Sequence, residues 1–203
     1  VKPAKEKAWM EALLKESEDL LAEVIETLRR TKKLDDTIIV YSSDHSKGWD
    51  FRRRIPLAFI FPHGEYSRKI GGNTQLLDVA PTILDYLNVE SPEWMEGQSL
   101  LTESPKPNRP IFVITRLKRG HFTTDKKDRL SHITGAGPPN YGLSRMAMIV
   151  CDTWYTYGLS DGDMTKGKVK NYSGICENSD IPSRKRAKKM IQKHLQVRGI
   201  AGQ

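Results

Sequence analysis

Seven consecutive residues, Thr37-Ile38-Ile39-Val40-Tyr41-Ser42-Ser43, restrict the fold more than any other stretch of the chain. They are mostly β-branched or apolar and show no alternation, which is the pattern of a short strand buried on both faces. The preceding segment is helical. From about Lys5 to Lys33, apolar residues recur at Trp9, Met10, Leu13, Leu14, Leu20, Leu21, Val24, Ile25 and Leu28, close to the 3.6-residue period. Acids such as Glu16, Glu18 and Asp19 take the opposite face. A helix feeding a doubly buried strand points to an α/β layer. The strand stops abruptly at Asp44-His45-Ser46-Lys47-Gly48.

The elements that follow fit such a layer. Leu57-Ala58-Phe59-Ile60-Phe61, between Pro56 and Pro62, reads as a second buried strand. Leu76 to Leu87 returns to helical spacing, with Asp78 as its expected N-cap, Pro81 in the first turn and Asn88 able to close it. Glu93 to Leu101 reads as a loop, with Trp94 as a staple beneath it, and Ile111-Phe112-Val113-Ile114-Thr115 as a third strand. His121 to Tyr141, rich in Gly and Pro, is expected to be a long exposed loop. Met146–Val150 and Trp154–Leu159 pair as a hairpin around Cys151-Asp152-Thr153. Asp161 to Asp180 reads as mostly loop, and Ser183 to Val197 as a short basic helix on a solvated, frayed terminus.

Charge matters once it is located. The chain of 203 residues carries 33 Lys and Arg against 25 Asp and Glu. Seven of the bases, and no acid, fall between Ile181 and Gln203, leaving 26 bases against 25 acids in the body. A basic tail on a neutral body is a weak hint of nucleic acid, and none is expected as a partner. No window approaches the roughly 18 apolar residues of a membrane span. No signal peptide is visible behind Val1-Lys2-Pro3-Ala4-Lys5. The two cysteines, Cys151 and Cys176, exclude a disulfide-dense scaffold and a four-cysteine zinc site. They can pair with each other or remain two buried thiols.

Asp44 and His45 carry the sharpest chemistry. Ligands of open α/β sheets bind beyond the carboxyl ends of strands, where this pair stands. A carboxylate oxygen and an imidazole nitrogen can hold a divalent cation. By spacing alone the pair reads more readily as a turn in which Asp44 caps the next element and His45 is a satisfied polar side chain. His63, His121, His132 and His194 are isolated, and Thr82 reads as a helix or core residue.

Four segments in order resemble the sulfatase branch of the alkaline phosphatase superfamily. Asp36 to His45 is similar to its strand and metal-binding turn, which usually ends Ser-Asp-His-Gly or Ser-Asp-Asn-Gly. Ile55 to Pro62 resembles the Val-Pro-Leu strand. Gln75 to Leu87 resembles the Asp-x-x-Pro-Thr helix, and Gly97-Gln98-Ser99-Leu100 the Asp-Gly-x-Ser-Leu loop, with Glu96 in the acid position. The match covers roughly residues 5 to 101.

The resemblance implies an alkaline-phosphatase-like α/β sandwich fragment with a mixed sheet, helices on both faces and a late antiparallel ribbon. It implies that residues 1–110 are the C-terminal part of the catalytic core, 111–180 further strands and loops of the same domain, and 181–203 a basic tail. The implied reaction is metal-dependent hydrolysis of a sulfuric ester. Asp44 and His45 would be metal ligands, and Lys47, Arg52 and Arg54 substrate-binding cations. Calcium is the expected metal, or zinc or manganese in a phosphoester enzyme. Alternatives are a phosphoester hydrolase or phosphoglycerol-type transferase on the same fold, and a non-catalytic remnant or basic-tailed binding module.

Three departures qualify the expectation. Ser46 stands where the family has glycine, a cost if that position needs positive φ. The Lys47–Arg54 loop is short. No Cys/Ser-x-Pro/Ala-x-Arg nucleophile motif occurs around Cys151 or Cys176, so the chain reads as the C-terminal half of such an enzyme, inactive without its N-terminal half.

Overall fold

The computed structural model describes residues 2–46, 50–116, 143–159, 161–169, 172 and 174–199. It resolves into two compact units, Val1–Tyr41 with Ala58–Arg68, and Ser42–Leu57 with Lys69–Gln203.

In the first unit the helical spacing yields α1 (Lys2–Arg30), closed by Arg29 and Arg30 where the helix dipole favours cations. Its polar face is laced by Lys7–Glu11, Lys15–Asp19 and Glu26–Arg29 ion pairs. Leu21, Ile25 and Leu28 are half-buried, whereas Trp9, Leu14 and Leu20 stay exposed. A 3-10 turn at Leu34–Asp36 leads into β1 (Ile39–Ser42), which pairs with β2 (Leu57–Ile60). The Ser17 and Tyr41 hydroxyls meet at 2.9 Å and tie α1 to β1. Phe59 and Phe61 stack on the β2 side.

The second unit contains α2 (Val79–Tyr86), then β3 (Ile111–Arg116), β4 (Leu143–Val150), β5 (Thr153–Gly158), β6 (Met164–Lys168) and α3 (Arg184–Val197). The four strands form an antiparallel sheet in sequence order. The third strand thus extends the late ribbon, and β6 occupies part of a stretch expected to be loop. Alternation sets the core. Met146, Met148 and Val150 of β4 and Tyr155 and Tyr157 of β5 face Ala187, Ile191 and Leu195 of α3 in one cluster.

That cluster corrects the expectation of a frayed C-terminus. Ala187, Ile191 and Leu195 repeat at i, i+4 and i+8, a stripe easily overlooked among six Lys and Arg residues, and are at most 2% exposed. Ser183 caps the helix by accepting from the Arg186 N–H, and the Tyr155 hydroxyl donates to the Pro182 carbonyl just before it. Ile191→Ala should therefore cost about 2–5 kcal/mol in urea unfolding. A cost below about 0.5 kcal/mol, the range of an ordinary surface change, would contradict this packing.

The cysteines pair. Cys151, at positive φ in the β4–β5 turn, bridges to Cys176 across 25 residues of sequence, with Cα atoms 5.9 Å apart. Closing such a loop in the unfolded chain is worth roughly 2–4 kcal/mol. The Asn73 side-chain amide donates to the Cys151 carbonyl and fastens the turn to the body. The expected loop from His121 to Tyr141 lies outside the described residues.

Candidate metal centre

A buried carboxylate anchors the segments around α2. Asp78 is fully buried. It takes the N-cap position of α2, as the sequence suggested, but its side chain makes no capping bond to that helix. Instead its two oxygens accept from the backbone N–H groups of Gln75 and Gln98 and from both terminal nitrogens of Arg109, at 2.6–3.0 Å. The Thr82 hydroxyl donates to the Asp78 carbonyl and accepts from the Leu100 N–H, confirming its structural role. Ser99 donates to Asp85, so Gln98-Ser99-Leu100 is zipped along the helix. Gly97 is required here, since an added Cβ would lie 1.8 Å from the Leu77 carbonyl oxygen. At the far end Asn88, at positive φ, closes α2 with Asn88 N–H to Asp85 and Val89 N–H to Leu84 bonds.

Asp44 and His45 follow β1 directly and lie side by side. His45 Nε2 is 3.4 Å from Asp44 Oδ2, and the His45 N–H donates to Asp44 Oδ1 at 2.8 Å. The carboxylate is 83% exposed and the imidazole 35%. His45 Nδ1 lies 2.9 Å from the Ser46 carbonyl. A carbonyl only accepts, so Nδ1 carries the proton, and in the neutral ring Nε2 presents its lone pair beside Asp44 Oδ2. Two acceptors side by side at that separation can share a cation. The donor set fits a divalent ion, with one oxygen and one nitrogen oriented by a backbone hydrogen bond. Among the described residues no group of three or more His, Cys, Asp or Glu gathers to complete a shell.

Ser46 costs nothing in the glycine's place. It is absent from the described residues at positive φ, and its hydroxyl donates to the Asp50 carbonyl at 2.6 Å, closing the short loop.

The loop cations are differently placed. Arg52 grips Asp50 with Nε and Nη2, at 2.6 and 3.0 Å, and lies over the Trp154 ring. The Arg52 guanidinium holds the Asp50 carboxyl below its usual range. Phe51 meets Trp154 edge-on, and the indole lies against Gly167. Arg54 is exposed, and Lys47 lies outside the described residues. The sequence reading missed Asp50 and Arg109. Asp50 is signalled by its spacing to Arg52; Arg109 has no local signal, being 31 residues from its partner.

Of the other histidines, His63 lies beside Asp35 and His194 on α3 stacks on Phe112 at 3.7 Å. His121 and His132 lie outside the described residues. His194 Nε2 accepts from Arg198 Nε, and Arg198 pairs with Glu96. Burial, then the Arg198 charge, push the His194 pKa below its usual value. The unfolded chain therefore binds the proton more readily. Stability from this group is complete above about pH 6.5 and declines as pH falls below it. His194→Gln should flatten the decline in urea midpoint between about pH 7.5 and 5; an unchanged slope would assign it elsewhere. Trp94 is 77% exposed and staples nothing, contrary to expectation.

Residues 11–89 match the Sulfatase family model. Arylsulfatase K of Canis lupus familiaris is 28% identical over 107 residues, which cover 47% of this chain and 20% of that protein. The chain thus spans about a fifth of the length of the curated relatives it matches. The solved structure of BT4656 in complex with its substrate D-glucosamine-2-N,6-O-disulfate aligns at a TM-score of 0.53, with 18% identity, over 87% of this chain and 37% of that one. Phosphonate monoester hydrolase SpPMH from Silicibacter pomeroyi aligns at 0.56, with 18% identity, over 90% and 38%. Both likenesses establish the alkaline-phosphatase-like α/β fold, of which this chain is a fragment.

Proposed function

We infer from the sulfatase-branch segment at residues 11–89 that the parent protein is a metal-dependent hydrolase of sulfuric esters. The observation that carries the reading is the Asp44–His45 turn, which lies inside the matched segment with its oxygen and nitrogen donors adjacent at 3.4 Å. Asp44 Oδ2 and His45 Nε2 would hold the ion, calcium first and zinc or manganese if the ester is a phosphate. The ion would polarise the ester oxygen. The chain's own contribution is orientation. The Ser46 carbonyl fixes the imidazole tautomer, and the Ser46 hydroxyl closes the loop behind it. Lys47, Arg52 and Arg54 would receive the anionic ester. Asp50 fixes Arg52 in advance and leaves its Nη1 outside the fork. The nucleophile and the remaining ligands would come from other parts of the parent protein.

Phosphoester or phosphonate-ester hydrolysis is the second reading, because the same fold carries SpPMH. Side-by-side turnover of aryl sulfate and aryl phosphate by the parent protein separates the two. The first reading expects kcat/KM for the sulfate to exceed that for the phosphate by about tenfold or more, a difference of ~1.4 kcal/mol in transition-state binding. The reverse preference would install the second.

A further inference from the structure

The basic residues of the C-terminal segment divide into two classes by what they touch. Three face inward. Arg184 donates to the Met164 carbonyl, Lys188 reaches the Gly162 carbonyl and the Tyr157 ring, and Arg198 pairs with Glu96. The other four, Lys185, Arg186, Lys189 and Lys193, are exposed, and among the described residues none makes an ion pair. At 100° per residue they lie opposite the buried stripe of Ala187, Ile191 and Leu195.

This arrangement weakens α3 rather than supporting it. Lys185, Lys189 and Lys193 repeat at i, i+4 and i+8, where like charges repel. Arg184, Lys185 and Arg186 fill the first turn, against the helix dipole, and α3 contains no acid at all. Helix α1 of the same chain shows the ordinary solution, alternating signs in i,i+4 pairs. Since the packed face already secures α3, the one-signed outer face has no structural use. It offers cations roughly 6 Å apart along a line of about 12 Å, flanked by the exposed amides of Gln192 and Gln196. A linear polyanion with closely spaced charges matches that row.

We propose that the outer face of α3, formed by Lys185, Arg186, Lys189 and Lys193, docks a linear sulfated polysaccharide. The row itself requires only a polyanion; choosing a sulfated glycan rests on the sulfuric-ester reading above. The Cys151–Cys176 disulfide supports the choice, since disulfides belong to oxidising compartments where nucleic acid is not the prevailing polyanion. The face is an anchoring surface, distinct in sequence from the Asp44–His45 turn.

The test is binding of the full chain to heparin, read without turnover. Heparin should bind with an affinity that falls steeply as salt rises, and fully desulfated heparin should not compete. The variant Lys185→Gln/Arg186→Gln/Lys189→Gln/Lys193→Gln should lose about tenfold or more of the affinity. The control Lys7→Gln/Lys15→Gln/Arg30→Gln/Lys32→Gln, which removes the same charge from elsewhere, should lose little. In the unmutated chain, heparin should protect Lys185, Lys189 and Lys193 from amine acetylation while Lys7 and Lys15 remain reactive. Equal losses in both variants, or no selective protection, overturn the proposal. Tighter binding to duplex DNA or to phosphatidylserine vesicles at the same salt also overturns it, in favour of those partners. If the chain binds heparin as expected but the parent protein hydrolyses no sulfate ester, the docking face stands and only the catalytic reading fails.

Discussion

Asp78→Ala should destabilise the chain by about 3–5 kcal/mol, the cost of stranding one member of a buried ion pair. Four donors converge on the Asp78 carboxylate: two backbone N–H groups and both terminal nitrogens of Arg109, whose side chain is only 13% exposed. Removing the carboxylate leaves a buried guanidinium without its counter-charge and releases the Gln98 segment from α2. Urea unfolding measures the loss. Arg109→Met should be damaging alone, yet Asp78→Ala/Arg109→Met should cost less than the two single changes together, because the second removes the stranded charge. Strict additivity would show that the two side chains act independently.

The second large effect concerns chemistry. Asp44→Asn in the parent protein should lower kcat/KM for an aryl sulfate about 10³-fold, since a Lewis acid contributes several kcal/mol and each 1.36 kcal/mol is tenfold. Stability should barely move, because the Asp44 side chain is 83% exposed and its main bond is to the neighbouring N–H. That contrast separates a ligand from a turn former. If Asp44 merely caps the turn, Asn caps it as well, and the substitution should leave turnover within about threefold and stability unchanged.

The two substitutions also mark what the sequence discloses. Local signals were readable. The unalternated Thr37–Ser43 run became β1, although in its two-stranded sheet its residues are half-buried rather than buried on both faces; the Pro81 helix formed, Asn88 closed it at positive φ, and the Met146–Leu159 hairpin paired as expected. Asp44 and His45 stand out because chemistry and position coincide at a strand end, and their side chains lie side by side. Long-range partners were not. Nothing near Asp78 announces Arg109, so the carboxylate looked like a helix cap. The apolar stripe of α3 is three residues wide and interrupted by lysines, so its burial depends on a sheet that lies elsewhere in sequence. The penalty feared at Ser46 disappears because that backbone stays outside the left-handed region, which a family pattern alone does not reveal. Tertiary context decided each of these cases.

On the proposed function, Asp44 and His45 together hold a divalent ion. Calorimetric titration of the metal-stripped parent protein with Ca²⁺, and in parallel with Mn²⁺ and Zn²⁺, tests it most directly. One tight site is expected. Asp44→Asn and His45→Gln should each weaken it by about tenfold or more. Unchanged affinity in both variants, with the fold intact, would place the ion elsewhere and leave Asp44-His45 a turn.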